Sequence, residues 1–459
     1  MSDTTRTRTV AATLAPYCLF VFIGALLHVS ISYGQVYLLH IALAALLLRM
    51  VLLLSQHDKV AVTAPHGAME LCAAAFVTMY VVSWAWSINY LHSVPYVGYM
   101  VIGVTVMLAT ALLCSSRDGL LRLLRVAAVI EVIHIGICLL EIFTPFRLPV
   151  SPFSHYASLF GRTDKLETLE ATDAILQQLL RSPTGFHWNP NNLAVGMVIV
   201  LGFVLNVRRT FWRWTGVASI ITIIAYTASR ASVIGILVVF AVYIFALSPR
   251  RLVVTLASIP VLALALWIVS SNVDAVYERI APVVGAVEAA NELFESRKSQ
   301  SDSIEIRQQL MSNSLGSIRH RIGIGVGPGG SILVQQSAGG QAAQIGSSHN
   351  FWLEIAVDAG VLALLMFVAW YVLAWVSCVA AALYSSDEVF SYVGKSLACS
   401  MAGFAVALVS ASSVLYFPPM WVMFGAVIGL RRARKAEHRQ RVDAALGLPG
   451  SEAWASILR

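Results

Sequence analysis

The sequence predicts an all-α polytopic membrane protein of about 12 transmembrane helices. Both termini are expected on the cytoplasmic side, with two long extracytoplasmic loops that contain helices. Three observations predict this. Of 459 residues, 58% are hydrophobic and only 12% are charged, half the charge of a typical soluble domain, about 25%. Mean hydropathy is +0.76. The apolar residues fall in continuous runs of span length, not in the alternation of an outer-membrane barrel. A soluble enzyme on one anchor is excluded, because twelve spans of about 20 residues already use about 240 residues.

The apolar segments are 12–32, 35–55, 67–87, 94–114, 120–143, 192–206, 214–229, 231–247, 252–270, 350–378, 393–413 and 414–430. The first is span-length and lacks a clear cleavage site, so no cleavable signal is expected. The chain divides into N-terminal transmembrane helices (1–143), a first extracytoplasmic loop (144–191), central transmembrane helices (192–270), a second loop (271–349), C-terminal transmembrane helices (350–430) and a basic cytoplasmic tail (431–459). All six cysteines lie inside apolar runs and none forms a C-x-x-C pair. Neither zinc nor a disulfide framework is suggested, and no metal or cofactor is expected.

Orientation follows from Lys and Arg. With the N-terminus inside, the cytoplasmic side receives Arg6, Arg8, Arg49, Lys59, Arg117, Arg122, Arg125, Arg208, Arg209, Arg213, Arg250, Arg251, Lys395 and seven in the tail, 20 of the 31. Ten of the remaining 11 lie in the two long loops, which the positive-inside rule weights little. The exception is Arg230, in a short outer connection. The net charge of +7 therefore reports orientation, not nucleic-acid binding.

Each long loop holds a helical stretch with a D-x-x-E start signal, Asp164/Glu167 in the first and Asp302/Glu305 in the second. Leu166, Leu169, Leu176, Leu179 and Leu180 form a partial apolar stripe in one; Ile306, Leu310 and Ile318 form one in the other, with Arg307 off it. Such helices either lie on the membrane surface or pack within a folded loop.

Several residues carry chemistry. Arg230 follows Thr227-Ala228-Ser229 with almost no loop between two short spans. An Arg there is costly unless it is paired or lines a wet cavity, and its planar fork suits phosphate; the plain alternative is a snorkelling interfacial Arg. His349, at the outside end of a span, is suited to taking a proton from a sugar hydroxyl; alone, such a His is more often a cap or interface residue. The first loop ends in Arg181-Ser182-Pro183-Thr184-Gly185-Phe186-His187-Trp188-Asn189-Pro190-Asn191-Asn192. Its polar and aromatic groups suit a sugar, or Asn191 or Asn192 caps the next span. The run Gly323 to Gly330 is interrupted by Pro328 and follows no strand, so a dinucleotide loop is rejected in favour of a flexible or tightly turned substrate loop. Glu131 and His134 share a helix face as a buried pair or part of a polar path. Glu354 and Asp358 lie near His349, placed to orient it or to pair with an arginine.

Together these pieces resemble the O-antigen ligase and polymerase superfamily. Thr227-Ala228-Ser229-Arg230 is similar to its T-x-S-R span end. Arg307-x-x-Leu310 with the Gly323–Gly330 run is similar to its outer-loop signature, and His349-Asn350-x-x-Leu353 with Gly360 to its H-N-x-x-L-x6-G motif. The segment from Thr184 to Asn192 is similar to a loop of polymerase-type members. Ala231 departs from the Gly that many members carry there. The resemblance is close over about residues 180–365.

The resemblance implies a metal-independent, inverting glycosyltransferase of the inner (plasma) membrane, acting on its extracytoplasmic face. The donor would be an undecaprenyl-pyrophosphate-linked glycan. The acceptor would be another lipid-linked glycan in a polymerase, or a lipid A core sugar in an O-antigen ligase. It implies Arg230 and Arg307 for pyrophosphate and His349 for acceptor activation. Arg181, His187, Asn191, Asn192, Arg319, Arg321, Asn350 and Glu354 are further candidates for glycan contact or support. Membrane lipid is the surrounding partner, and no nucleic acid is expected. A protein-glycosylating enzyme is a third outcome within the superfamily. A twelve-span transporter is the alternative of another class, but paired halves are not seen in the sequence.

Overall fold

The computed structural model describes residues 3–56, 67–162, 182–247, 297–339, 350–409 and 414–445. Among them are fourteen α-helices and one two-stranded hairpin. The first group is α1 (Asp3–Leu27), α2 (Leu38–Gln56), α3 (Ala68–Val82), α4 (Tyr90–Leu113) and α5 (Arg117–Phe143). Between α1 and α2, β1 (Ser32–Tyr33) and β2 (Val36–Tyr37) pair antiparallel, Ser32 opposite Tyr37. Then come α6 (Pro190–Leu205), α7 (Thr210–Tyr226), α8 (Arg230–Ala241), α9 (Arg297–His320) and α10 (Gly330–Ala338). The last group is α11 (Phe351–Ala359), α12 (Val361–Tyr384), α13 (Glu388–Ala407) and α14 (Pro418–Ala445).

Six of these helices are long and apolar enough to cross a membrane: α2, α3, α4, α5, α12 and α13. Ala12–Leu27, Pro190–Leu205 and Arg230–Phe245 are shorter apolar helices. Every apolar segment read from the sequence falls on a helix except 252–270, which lies outside the described residues. Short polar side chains start the spans where the sequence offers them. Asn89 caps α4 by accepting from the His92 amide, Ser116 caps α5 by accepting from that of Gly119, and Asp387 caps α13 by accepting from those of Val389 and Phe390.

Helix α13 is the hub. Its span is 61% buried inside the protein, against 39% or less for the other five, and it packs on α6, α8 and α12. Backbones come close there because residues are small: a Cβ on Gly202 would stand 2.6 Å from the Ser400 amide nitrogen. The Ser400 hydroxyl donates to the Ile199 carbonyl at 2.6 Å across the same contact. A second centre is aromatic, with Trp370 stacked on Phe424 at 4.1 Å beside Phe76 and Phe367.

Three sequence expectations change. Segment 350–378 is not one span. It breaks at Gly360 into α11 and α12, and α12 runs on to Tyr384. Gly360 adopts φ +95°, and a Cβ there would meet the Gly323 and Ile324 carbonyl oxygens at 2.6 Å; hydropathy cannot register a break made by a tertiary contact. Helix α9 begins at Arg297, so Asp302 and Glu305 lie inside it and are not its start signal; Asp164 and Glu167 lie outside the described residues. Finally, α14 continues unbroken past Leu430 through the basic segment, because nothing between 430 and 445 is Gly or Pro.

Candidate active site

The T-x-S-R segment is a tight corner between α7 and α8. Thr227 closes α7, and its hydroxyl donates to the Ile224 carbonyl at 2.7 Å. Ala228 turns the chain at φ +53°, a left-handed conformation costing roughly 1–2 kcal/mol for a residue with a Cβ. Ser229 is extended at the N-cap of α8, and its buried hydroxyl donates to that of Ser232 at 3.0 Å instead of capping the helix. Arg230 is thus the first residue of α8 and exposed. A cation at this end opposes the helix dipole, and the first amides have no side-chain cap. Both features become favourable when an anion sits there.

Arg307 brings a second charge within electrostatic range of Arg230. It lies on α9, which is locked to α10 by a polar network one to two turns further on. There the Gln335 amide donates to the Leu310 carbonyl and the Ser314 hydroxyl, each at 3.0 Å, and Asn313 donates to Gln335 at 3.0 Å. Leu310 is fully buried. So α9 packs within a folded loop, on α10 and α11. Arg307, near the middle of α9, is exposed, yet crowding by the surrounding protein and then the charge of Arg230 lower its guanidinium pKa. Neither arginine has an acidic partner among the described residues. Arg319 and Arg321 are exposed at the far end of α9, roughly 18 Å along the axis from Arg307 at 1.5 Å per residue.

The glycine run is tightly turned. Gly323, Gly325, Gly327 and Gly329 all have positive φ, and 325–330 are buried. The loop hangs from the end of α11: Val326 and Gly327 amides donate to the Val357 and Asp358 carbonyls at 2.8 and 2.9 Å. The buried Asp358 carboxylate accepts from the amides of Gly329 (2.9 Å) and Ser331 (2.7 Å) and from the Tyr80 hydroxyl (3.3 Å). Asp358 therefore supports the loop and the start of α10. Asn350 is the N-cap of α11, accepting from Trp352 and Leu353 amides. Glu354 is buried, in electrostatic range of Tyr80 and Tyr96. His349, one residue before the cap, lies outside the described residues, as does Arg181.

Residues 182–189 re-enter the bundle. The Thr184 and Gly185 amides donate to Glu141 Oε2 at 2.7 and 2.8 Å, and the Phe186 amide donates to His134 Nε2 at 3.1 Å. That contact makes Nε2 the acceptor, so Nδ1 carries the proton toward Glu131, 3.1 Å away. His134 sits about 25 Å along a helix roughly 40 Å long. Irregular backbone at such depth survives only when protein satisfies it, and this is what His134 and Glu141 do, with Glu131 bonded to His134 from behind. His187 is buried against His28, His134 and Phe417. The N-cap of α6 is Asn189, with Pro190 in the first position, in place of the expected Asn191 or Asn192. Those two lie in the first turn, half-buried.

Glu141 was absent from the sequence reading. Its signal was present, since a carboxylate inside an apolar helix needs a partner. Glu141→Ala strips the acceptor from two buried amides. At about 1.5–3 kcal/mol for each bond to a charged group, the expected loss is about 3–6 kcal/mol, read as a lower thermal midpoint in detergent. Glu141→Gln, whose amide oxygen still accepts, loses less than half as much. An unchanged midpoint for Glu141→Ala would remove the carboxylate as the loop's support.

Comparison with known proteins follows the same residues. The O-antigen ligase family matches residues 215–368, a stretch that holds Arg230, Arg307, Arg319, Arg321, His349, Asn350 and Glu354. Arg181, His187, Asn191 and Asn192 precede it. The teichuronic acid biosynthesis protein TuaE of Bacillus subtilis (strain 168) is 26% identical over 274 residues. That alignment covers 55% of this chain and 53% of the relative, so the chain spans about half the length of the curated relative it matches.

Proposed function

From the premise that residues 215–368 form an O-antigen ligase-type region in a multi-pass membrane protein, we propose that this chain joins glycans on the extracytoplasmic face of the plasma membrane. The donor is a glycan on undecaprenyl pyrophosphate. The observation that carries the reading is Arg230 at the uncapped start of α8, with Arg307 in electrostatic range of it and neither having an acidic partner among the described residues. Two arginines and a helix N-terminus would then supply positive potential to a lipid pyrophosphate as it is bound and released.

In this reading the acceptor hydroxyl attacks the anomeric carbon of the donor sugar. The bond from that carbon to the pyrophosphate oxygen breaks, with inversion and without a metal. Arg230 and Arg307 take up the charge on the leaving pyrophosphate. His349 accepts the hydroxyl proton, and Asn350 holds the chain just after it. The extracytoplasmic placement rests on the charge count, and the division into two outer loops and three groups of helices rests on hydropathy.

Polymerisation of O-antigen or exopolysaccharide repeat units is favoured over ligation to lipid A core by the segment from Thr184 to Asn192 and by a relative named for biosynthesis of teichuronic acid. Deleting the gene and analysing the glycans separates the readings. Accumulation of lipid-linked single repeats is the expected result. Accumulation of complete lipid-linked polymer would make it a ligase, and unchanged glycan with altered solute uptake would make it a transporter.

A further inference from the structure

Helix α14 leaves the bundle carrying charge. Beyond Leu430 its basic side chains face the ends of α12 and α13 and enclose, with Ser385 and Ser386, a cavity of about 450 Å³. Two of the cations there are already matched. Arg431 donates to Glu70 at 3.1 Å, and Arg441 pairs with Glu437 and donates to the Ser386 hydroxyl at 2.7 Å. Arg434 and Lys435 have no acidic partner among the described residues. Arg434 is half-buried, and withdrawal from water lowers its pKa. An unpaired cation withdrawn from water calls for an anion.

The position says which anion. The cavity lies at the end of a membrane span, lined by Ser377, Ala380 and the exposed Tyr384 of α12. An aromatic ring at a span end marks headgroup depth. The Lys and Arg count places this end in the cytoplasm, where the leaflet is anionic and basic pockets between helices take lipid headgroups. We infer that this cavity binds the phosphodiester headgroup of an anionic phospholipid of the cytoplasmic leaflet, with Arg434 and Lys435 supplying the charge. The site is separate from the extracytoplasmic chemistry and independent of it.

The test uses the purified full-length protein in mixed micelles holding phosphatidylglycerol and phosphatidylethanolamine in equal amounts, read by native mass spectrometry. The wild type retains phosphatidylglycerol preferentially. Arg434→Gln with Lys435→Gln lowers that retention by roughly thirtyfold, and Lys435→Gln alone, an exposed position that folding tolerates, by roughly fivefold. Arg432→Gln with Arg439→Gln removes equal charge from exposed positions outside the cavity and leaves retention unchanged. Equal loss in both double variants, or no loss in Lys435→Gln, overturns the pocket. Displacement of phosphatidylglycerol by millimolar inorganic phosphate assigns a free anion and overturns the lipid.

Discussion

Replacing His349 with Ala lowers glycan transfer by about 10²–10⁴-fold, the usual worth of general-base help, and leaves donor binding intact. The acceptor hydroxyl must lose its proton as the new glycosidic bond forms. An imidazole with a pKa of about 6.5 when unperturbed is neutral at physiological pH and can take it. His349 precedes in sequence the helix cap made by Asn350, whose side chain accepts from two amides. A base is active only when neutral, so the wild-type rate falls as pH drops through the histidine pKa. A His349→Gln enzyme, with nothing to protonate in that range, loses this limb. Transfer measured against pH with a synthetic lipid-linked donor checks both expectations. A glutamine variant with near-normal rate and an intact acidic limb would hand the role to Glu354 or to substrate-assisted attack.

Arg230→Ala lowers transfer by roughly 10²–10³-fold, as expected for one donor to a developing anion, while the ligand-free protein becomes slightly more stable. The opposite signs follow from position. At the first residue of α8, Arg230 opposes the helix dipole, a conflict worth about 0.3–1 kcal/mol that alanine relieves. Arg230→Lys keeps the charge but loses the planar fork, and it too impairs transfer strongly while the protein still inserts. Donor turnover and the thermal midpoint in detergent, measured side by side, make the check. Normal turnover by Arg230→Lys would weaken bidentate contact. Normal turnover by Arg230→Ala would take the residue out of the site.

The helices were legible because apolar runs without charge have few alternatives in a membrane. Arg230 stood out in the sequence because, with the N-terminus placed inside, it is the one positive charge in a short outer connection. What escaped the sequence was set by contacts between distant segments. Glu141 and Thr184 are 43 residues apart, and only the folded chain shows that the carboxylate serves amides of a re-entrant loop. Asp358 and Gly329 are likewise 29 apart, and only the folded chain shows that this carboxylate supports the glycine run. The break at Gly360 is hidden in continuous hydropathy for the same reason. The N-cap at Asn189 was readable, since Pro190 in the first helical position marks a start. The pairing of Arg230 with Arg307 came from family resemblance and not from spacing, because 76 residues separate them, many outside the described structure.

The central claim is that the two arginines hold a lipid pyrophosphate as it leaves. Its most direct measurement follows purified protein turning over a synthetic undecaprenyl-pyrophosphate-linked glycan, counting both released undecaprenyl pyrophosphate and new glycosidic bonds. One pyrophosphate-lipid released per bond formed, with both lost together in Arg230→Ala with Arg307→Ala, is the predicted result. Glycosidic bonds formed without release of the pyrophosphate-lipid, or unchanged turnover in the double variant, would contradict it.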